Sequence, residues 1–174
     1  MDLIKSVKYA MAALGAAMLP ICAMSQTKVV AHRGYWDHPG SAQNSLTALR
    51  LADSIAVYAV ECDVWLTRDG GLVVDHDKVF KGVDMPVSTM LEACSVTLDN
   101  GEKLPTFDEF LAHARRYPSL RLVVEYKCEG DEGREKEAVA KILKALTYFG
   151  DLKRTDFISF SLTACKEFHE AAPE

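Results

Sequence analysis

The chain has 174 residues, a formal net charge of −5 and a hydrophobic content of 49%. A chain of this length ordinarily forms one domain with an adequate core. Nucleic acid and anionic membrane surfaces are excluded as expected partners, because both require a basic face on the protein.

Residues 1–25 have the pattern of a secretory signal peptide. Two lysines precede an apolar run over residues 9–23, and a small-x-small pattern ends at Ser25. The run is too short to be preferred as a transmembrane helix, so no stable membrane insertion is expected. We expect cleavage after Ser25, a single domain over residues 26–174, and an exported protein that is periplasmic or secreted.

The cysteines do not indicate a disulfide framework. Lipid modification at Cys22 is less favoured than plain cleavage, because Pro20 and Ile21 stand where small residues are needed. The four other cysteines include no C-x-x-C pair: Cys62, Cys94, Cys128 and Cys165. We expect buried free thiols, with Cys62 facing away from the site on its strand.

Strand and helix patterns alternate after the signal. Five apolar runs predict strands, at 28–31, 59–64, 72–74, 120–125 and 157–160. Helical patterns span 44–52, 88–94, 106–111 and 134–149, with Asn44 or Ser45 capping the first and Thr106 the third. Buried strands separated by helices indicate an α/β fold with parallel strands. Two architectures remain open: a complete five-stranded sheet, or the front two-thirds of an eight-stranded α/β barrel.

Three carboxylates lie on or at the end of predicted strands. Glu61 and Asp63 point to the same face because side chains alternate along a strand, and Glu125 ends another parallel strand. Three converging carboxylates repel unless a cation lies among them, and all-oxygen ligands favour Ca²⁺ or Mg²⁺ over zinc. The alternative is three separate acids at strand ends.

Two histidines also terminate strands. His32 follows the first, and His76 follows the strand that comes after a turn at Asp69-Gly70. Two imidazoles facing one pocket suit general acid and base work near neutral pH, although a single strand-end histidine is more often structural.

Cationic side chains stand beside these groups. Arg33 provides a planar fork that matches phosphate oxygens, and Gly34 allows close backbone approach. Lys127, two positions beyond the third carboxylate, is either a second cation for a phosphate or a solvated lysine.

Other candidates receive no functional role. These are His38, in a loop, and His113 and His169, in helical patterns. Trp36 could line a pocket mouth or pack within its loop. A zinc amidohydrolase is disfavoured because Gly34 stands where the second histidine of a His-x-His pair would be.

Together, five motifs resemble the glycerophosphodiester phosphodiesterase family. They are His32-Arg33-Gly34, Glu61-x-Asp63-Val64, Thr67-x-Asp69-Gly70, Val73-Val74-x-His76-Asp77 and Glu125-x-Lys127. The resemblance implies the (β/α)₈ TIM barrel shared with phosphatidylinositol-type phospholipases C. It also implies a small-molecule glycerophosphodiester substrate, hydrolysed to glycerol 3-phosphate and an alcohol.

The resemblance further implies a role for each site residue. The three carboxylates hold Ca²⁺ or Mg²⁺, and Arg33 binds the phosphate. His32 and His76 move protons while a neighbouring substrate hydroxyl attacks phosphorus to give a cyclic intermediate.

The chain departs from the family pattern in two places. Gln43 stands where the family's Pro-Glu-Asn-Thr segment has glutamate, so a substrate-binding Gln43 brings no negative charge. The last strands, including a Trp-Thr-Val-Asn segment, are absent, which implies an incomplete barrel of about five strands whose unpaired edge could support oligomerisation. The alternatives are a truncated, inactive product that at most binds metal or phosphate, and a sphingomyelinase D-like or inositol phospholipase-like enzyme with another headgroup.

Overall fold

The computed structural model describes residues 27–173; the predicted signal peptide and Cys22 lie outside the described residues. The strands are β1 Val30–Ala31, β2 Ala59–Leu66, β3 Leu72–Val74, β4 Val79–Phe80, β5 Val83–Asp84, β6 Arg121–Tyr126 and β7 Thr155–Ser159. The helices are α1 Leu46–Ser54, α2 Met90–Ser95, α3 Phe107–Ala114, α4 Glu132–Phe149 and α5 Leu162–Ala171. Short 3₁₀ turns cover Met85–Val87 and Leu152–Arg154.

The main sheet is parallel and winds in one direction. Its order is β1-β2-β6-β7, and each of these neighbouring pairs is parallel. Successive parallel strands therefore take successive places without a reversal, as in an α/β barrel and not as in a doubly wound open sheet. The predicted α/β class and partial barrel are confirmed.

The third predicted strand has a different role from the others. β3 pairs antiparallel with the last residues of β2, through Leu66–Leu72 and Val64–Val74. It forms a hairpin beyond the parallel part of the sheet, so four of the five predicted strands contribute to the barrel wall. The small β4–β5 hairpin was not predicted, because its two-residue strands carry too little periodicity.

Strand β2 is buried along all eight residues because both of its faces are covered. Val60, Cys62, Val64 and Leu66 belong to the main core, which also receives side chains from α1, α3, α4 and α5. The alternate residues, including both carboxylates of the strand, point to the other face.

The helix starts follow local hydrogen-bonding chemistry. Ser45, and not Asn44, caps α1 by accepting from the Ala48 N–H. Thr106 caps α3 as predicted and forms a reciprocal capping box with Glu109.

All four cysteines within residues 27–173 are free. Cys62 is buried on the core side of β2, as predicted. Cys94 and Cys128 are only half-buried. The prediction of burial is wrong for Cys165, which is exposed because α5 packs through Ala164 and Phe168 instead. None of the helices within residues 27–173 combines the length and apolar character needed to cross a bilayer.

The outer strands of the sheet leave apolar side chains exposed. Within the described part of the chain, β1 and β7 each pair with one neighbouring strand. Val29 and Val30 are exposed at one edge, and Ile158, Phe160 and Leu162 at or just beyond the other. Open edges with exposed apolar groups are templates for association with another chain.

We therefore expect the isolated chain to self-associate, and Phe160→Lys to raise the concentration needed for association about tenfold, a change of about 1.4 kcal/mol. Sedimentation equilibrium measures this. Leu91→Lys, at an exposed position of α2, is the matched control and should associate like the parent. A parent chain that stays monomeric at every concentration would contradict the prediction.

Candidate functional site

Three buried carboxylates form the centre of the candidate site. Asp63 of β2 lies opposite Glu125 of β6 in the parallel register, and Glu61 precedes Asp63 on the same face. Each residue offers one oxygen, and these oxygens lie within 4.8 Å of one another. The structure thus brings together the three acids that the sequence singled out.

Glu61 has one oxygen held by the backbone and one without a partner. Its Oε2 accepts a hydrogen bond of 2.7 Å from the Arg33 N–H. Its Oε1 is buried and has no hydrogen-bond partner among residues 27–173. Burial, together with the nearby Asp63 carboxylate, raises the pKa of Glu61 to about 8.

Asp63 is held by an amide and an ammonium group. The Asn44 Nδ2 donates to its Oδ2 at 2.8 Å, and the Asn44 Oδ1 accepts from the Asp63 N–H at 3.3 Å. The Lys127 Nζ lies 2.8 Å from the Asp63 Oδ1 and 2.6 Å from the Glu125 Oε1. Burial lowers the pKa of Lys127, but its bonds to the two carboxylates outweigh this and raise it. Lys127 therefore faces the acids, and its predicted contact with a phosphate stays a prediction.

The carboxylate cluster fits a hard divalent cation. Its donors are all oxygens, and one buried oxygen, the Glu61 Oε1, has no partner in the part of the chain that the structure describes. Ca²⁺ and Mg²⁺ both prefer carboxylate oxygens, so Glu61, Asp63 and Glu125 could hold either.

The turn after β1 brings its polar groups to this cluster. Arg33 and Gly34 have φ angles of +60° and +77°, and the Arg33 carbonyl accepts from the Asn44 N–H at 3.0 Å. A Cβ on Gly34 would lie 2.7 Å from the Cβ of Ala48 in α1. The glycine therefore allows both the left-handed backbone and the close approach of α1.

Gly34→Ala is expected to lower the free energy of unfolding by about 3 kcal/mol, because it adds a clash to an unfavourable φ angle. Urea denaturation measures the loss. Gly40→Ala is the control: Gly40 shares a φ of +78°, but nothing lies within 4 Å of its added Cβ, so only the smaller backbone cost of about 1 kcal/mol applies. Equal losses in the two variants would show that packing against α1 is not limiting.

The guanidinium of Arg33 lies between the loop and the cluster. Its Nη1 donates to the Gln43 Oε1 at 2.6 Å, and its Nε lies 3.9 Å from the Asp63 Oδ2. Gln43, which was predicted to bind substrate, thus orients Arg33, the residue predicted to bind the phosphate. The substrate contacts of both residues stay predictions.

Of the two candidate histidines, His32 lies at the edge of the cluster, and His76 follows Asp75, whose N–H donates to the Asp63 carbonyl. The His32 Nε2 is 3.9 Å from the Glu61 Oε2, and 64% of the His32 side chain is exposed. The His76 Nδ1 lies 2.8 Å from the Asp77 Oδ1. This contact leaves the Nε2 of His76 as the nitrogen available to a substrate.

A cavity of about 600 Å³ opens beside His76. Its lining residues are Trp36, Asp37, His38, Pro39, Ser41, Ala42, Gln43, Asp75, His76, Asp77, Phe80, Leu98 and Asp99. Trp36 therefore lines a cavity, which is one of the two positions expected for it, a pocket mouth or packing within its loop. His38 also lines this cavity.

Sequence reasoning missed two residues of this region. Asn44 was considered only as a helix cap, but its φ of +59° turns its buried amide toward Asp63. Asp75, the variable position of the Val-Val-x-His-Asp motif, is buried beside the cluster, and its N–H donates to the Asp63 carbonyl at 3.1 Å. Burial raises the pKa of Asp75 to about 7, with a further contribution from Asp77. The available signal was the aspartate itself at a position where an apolar strand ends.

Known proteins share this fold. A glycerophosphodiester phosphodiesterase from Parabacteroides distasonis, known from its crystal structure, is 41% identical, with a TM-score of 0.83 over 84% of this chain and 62% of that protein. A glycerophosphodiester phosphodiesterase from Caldanaerobacter subterraneus is 29% identical over 85% of this chain and 64% of its own length. A phosphodiesterase from Oleispira antarctica, solved with the product sn-glycerol-3-phosphate, is 28% identical, with a TM-score of 0.66 over 85% of this chain and 63% of that protein.

The chain thus spans slightly less than two thirds of the length of these relatives. The sequence model of the glycerophosphoryl diester phosphodiesterase family matches residues 32–174, which include every motif noted above. The chain therefore belongs to the glycerophosphoryl diester phosphodiesterase family.

Proposed function

We propose that the chain hydrolyses glycerophosphodiesters to glycerol 3-phosphate and an alcohol. The observation that carries this proposal is the buried carboxylate cluster with Arg33 and His32 at its edge and His76 in the neighbouring cavity. Family membership supports the same reaction class, as does the glycerol 3-phosphate bound to the Oleispira antarctica relative.

The proposal assigns Glu61, Asp63 and Glu125 as ligands of a divalent cation, Ca²⁺ or Mg²⁺. Such an ion, when bound, would neutralise phosphate charge and stabilise the transition state. Lys127 then balances the remaining negative charge of Asp63 and Glu125. Asn44 positions Asp63 by bonding to both its side chain and its backbone.

The chain's own residues provide the remaining steps. Arg33 binds a phosphate oxygen through its guanidinium, which Gln43 orients. One of His32 and His76 removes the proton from the substrate hydroxyl that attacks phosphorus, and the other protonates the alcohol that leaves, which gives a cyclic phosphodiester. Water then opens this ring: the second histidine takes a proton from the water and the first returns its proton to the released hydroxyl, so that glycerol 3-phosphate forms. Asp77 orients the imidazole ring of His76 through their 2.8 Å contact. From the pattern of residues 1–25 we further propose that the reaction takes place outside the cytoplasm.

The test is release of glycerol 3-phosphate from glycerophosphocholine by the purified chain in Ca²⁺, in Mg²⁺ and in EDTA. Turnover that requires the metal supports both the reaction class and the cation site. Turnover that is equal in EDTA would contradict the assignment of the carboxylates. Soluble, folded protein without turnover of any glycerophosphodiester would contradict the proposed reaction.

A second candidate is a chain that binds metal or phosphate without catalysis. The exposed apolar groups along β1 and β7 favour it. Catalytic groups must be held in position by packed neighbours, and within residues 27–173 these strands lack such packing on their exposed side. Circular dichroism and metal binding measured on the same preparation separate it from the first: an inactive chain that is folded and binds Ca²⁺ or Mg²⁺ supports the second candidate.

A further inference from the structure

The cavity beside His76 has an acidic and aromatic lining. Four of its lining residues are carboxylates, none is a lysine or arginine, and Trp36 and Phe80 contribute aromatic rings. Two of the carboxylates are already engaged, Asp77 by His76 and Asp99 by Lys81 at 2.8 Å.

Asp75 is the carboxylate that distinguishes this cavity from a solvated acidic patch. Only 5% of Asp75 is exposed, and its Oδ2 has no hydrogen-bond partner within residues 27–173. A buried, unpartnered carboxylate is costly unless a cation or a donor meets it. Asp75 lines the cavity, so a cation bound there lies beside this buried carboxylate and offsets its charge without touching the enclosed Oδ2.

The aromatic rings indicate which kind of cation this cavity would bind. Trp36 is partly exposed in a loop, so its indole is accessible from the cavity. Ammonium groups bind to the faces of tryptophan and phenylalanine, and combinations of aromatic rings and carboxylates are typical of sites for quaternary ammonium ions. The Lys81 Nζ, 5.1 Å from the centre of the Phe80 ring, shows the same attraction at the rim.

The cavity also adjoins the proposed reaction site. Gln43, which orients Arg33, and His76 both line it. A diester whose phosphate lies at Arg33 can therefore extend its alcohol portion past His76 into the cavity. The volume of about 600 Å³ lies in the ordinary range for small-molecule sites.

We propose that this cavity binds the ammonium group of the substrate's alcohol portion, choline first and ethanolamine second, with Asp75 and Trp36 as its main contacts. This inference rests on the proposed function for the identity of the substrate. It makes the chain selective for glycerophosphodiesters with cationic headgroups over those with uncharged ones.

The first experiment is a titration of the full chain with choline chloride in EDTA at constant ionic strength, followed by tryptophan fluorescence. The chain has two tryptophans: Trp36 lines the cavity and Trp65 is buried in a core, so Trp36→Phe identifies the part of the signal that comes from Trp36. We expect a saturable change with choline and none with glycerol. No saturable change with choline would overturn the inference.

Asp75→Asn tests the main contact and is expected to weaken choline binding about tenfold, because it removes the negative charge that attracts the ammonium group. Glu170→Gln, which removes a carboxylate from the exposed side of α5, is the control and should bind choline like the parent. Unchanged choline affinity in Asp75→Asn would overturn the inference. If Asp75→Asn does not fold, Phe80→Leu replaces it. It should also weaken choline binding, and unchanged choline affinity would again overturn the inference.

The last experiment separates this inference from the proposed function. The ratio of kcat/KM for glycerophosphocholine to that for glycerophosphoglycerol should exceed one in the parent and fall about tenfold in Asp75→Asn. Equal hydrolysis of both diesters would overturn the cavity assignment and leave the proposed function in place. Saturable choline binding without hydrolysis would support the cavity and contradict the function. Loss of the Ca²⁺ or Mg²⁺ thermal shift in Asp75→Asn, with choline binding intact, would assign Asp75 to the metal and overturn the inference.

Discussion

His76→Ala is expected to lower kcat for glycerophosphocholine by about 10²–10⁴-fold, the usual contribution of a general acid or base. The physical reason is the position of His76, which lies beside the cavity with its Nδ1 held by Asp77 and its Nε2 free for a proton transfer. Its removal deletes the proton donor or acceptor and leaves the three carboxylates in place. Metal binding should therefore change little. Steady-state kinetics and the Ca²⁺- or Mg²⁺-induced rise in Tm, measured on the same variant, provide the two readouts.

His169→Ala is the matched control for this prediction, because His169 is an exposed histidine of α5 far along the chain from the site. It should keep the activity of the parent. His32→Ala should behave like His76→Ala if the two imidazoles share the proton transfers. Full activity in His76→Ala would show that the mechanism with two histidines is wrong.

The carboxylate cluster could be predicted because it depends on two simple rules. Alternation along β2 places Glu61 and Asp63 on one face, and parallel pairing places strand ends side by side. Neither rule requires knowledge of a loop. The α/β class followed in the same way from apolar runs separated by helical periods.

The positions of Asn44 and Asp75 could not be predicted by these rules. Asn44 reaches Asp63 because its backbone adopts a positive φ that the sequence does not specify. Asp75 reaches the same residue through the antiparallel register of the β2–β3 hairpin, which the turn at Asp69-Gly70 only suggests. Both contacts depend on the three-dimensional path of a loop or hairpin.

The orientation of Lys127 shows a similar limit. Its place two residues after Glu125 indicates the correct side of the strand. A flexible lysine on that side can turn to an anion in solution or to the acids beneath it. The buried charge of Asp63 decides between them, and the ammonium lies against the carboxylates.

Glu61→Gln is expected to weaken Ca²⁺ or Mg²⁺ binding about 100-fold, because an amide replaces a charged ligand. The same change should alter how stability depends on pH. The folded-state pKa of Glu61 is about 8, above its ordinary value of 4.5, so without metal the folded chain binds more protons than the unfolded chain between these values. The free energy of unfolding therefore falls as the pH rises from about 4.5 to about 8. Asp75, with its pKa raised to about 7, adds to the same trend.

Glutamine carries no charge at any of these pH values. Glu61→Gln therefore removes the part of the pH-dependent loss of stability that comes from Glu61. In EDTA at pH 8 the variant should be more stable than the parent. With Ca²⁺ or Mg²⁺ the order should reverse, because metal binding to the folded state stabilises the parent more than the variant. Urea unfolding at pH 6 and pH 8, with EDTA and with metal, measures both effects, and Glu170→Gln should follow the parent throughout. If metal stabilises Glu61→Gln and the parent equally, Glu61 is not a metal ligand. Protonation of the buried carboxyl would then explain why the Glu61 Oε1 has no partner within residues 27–173.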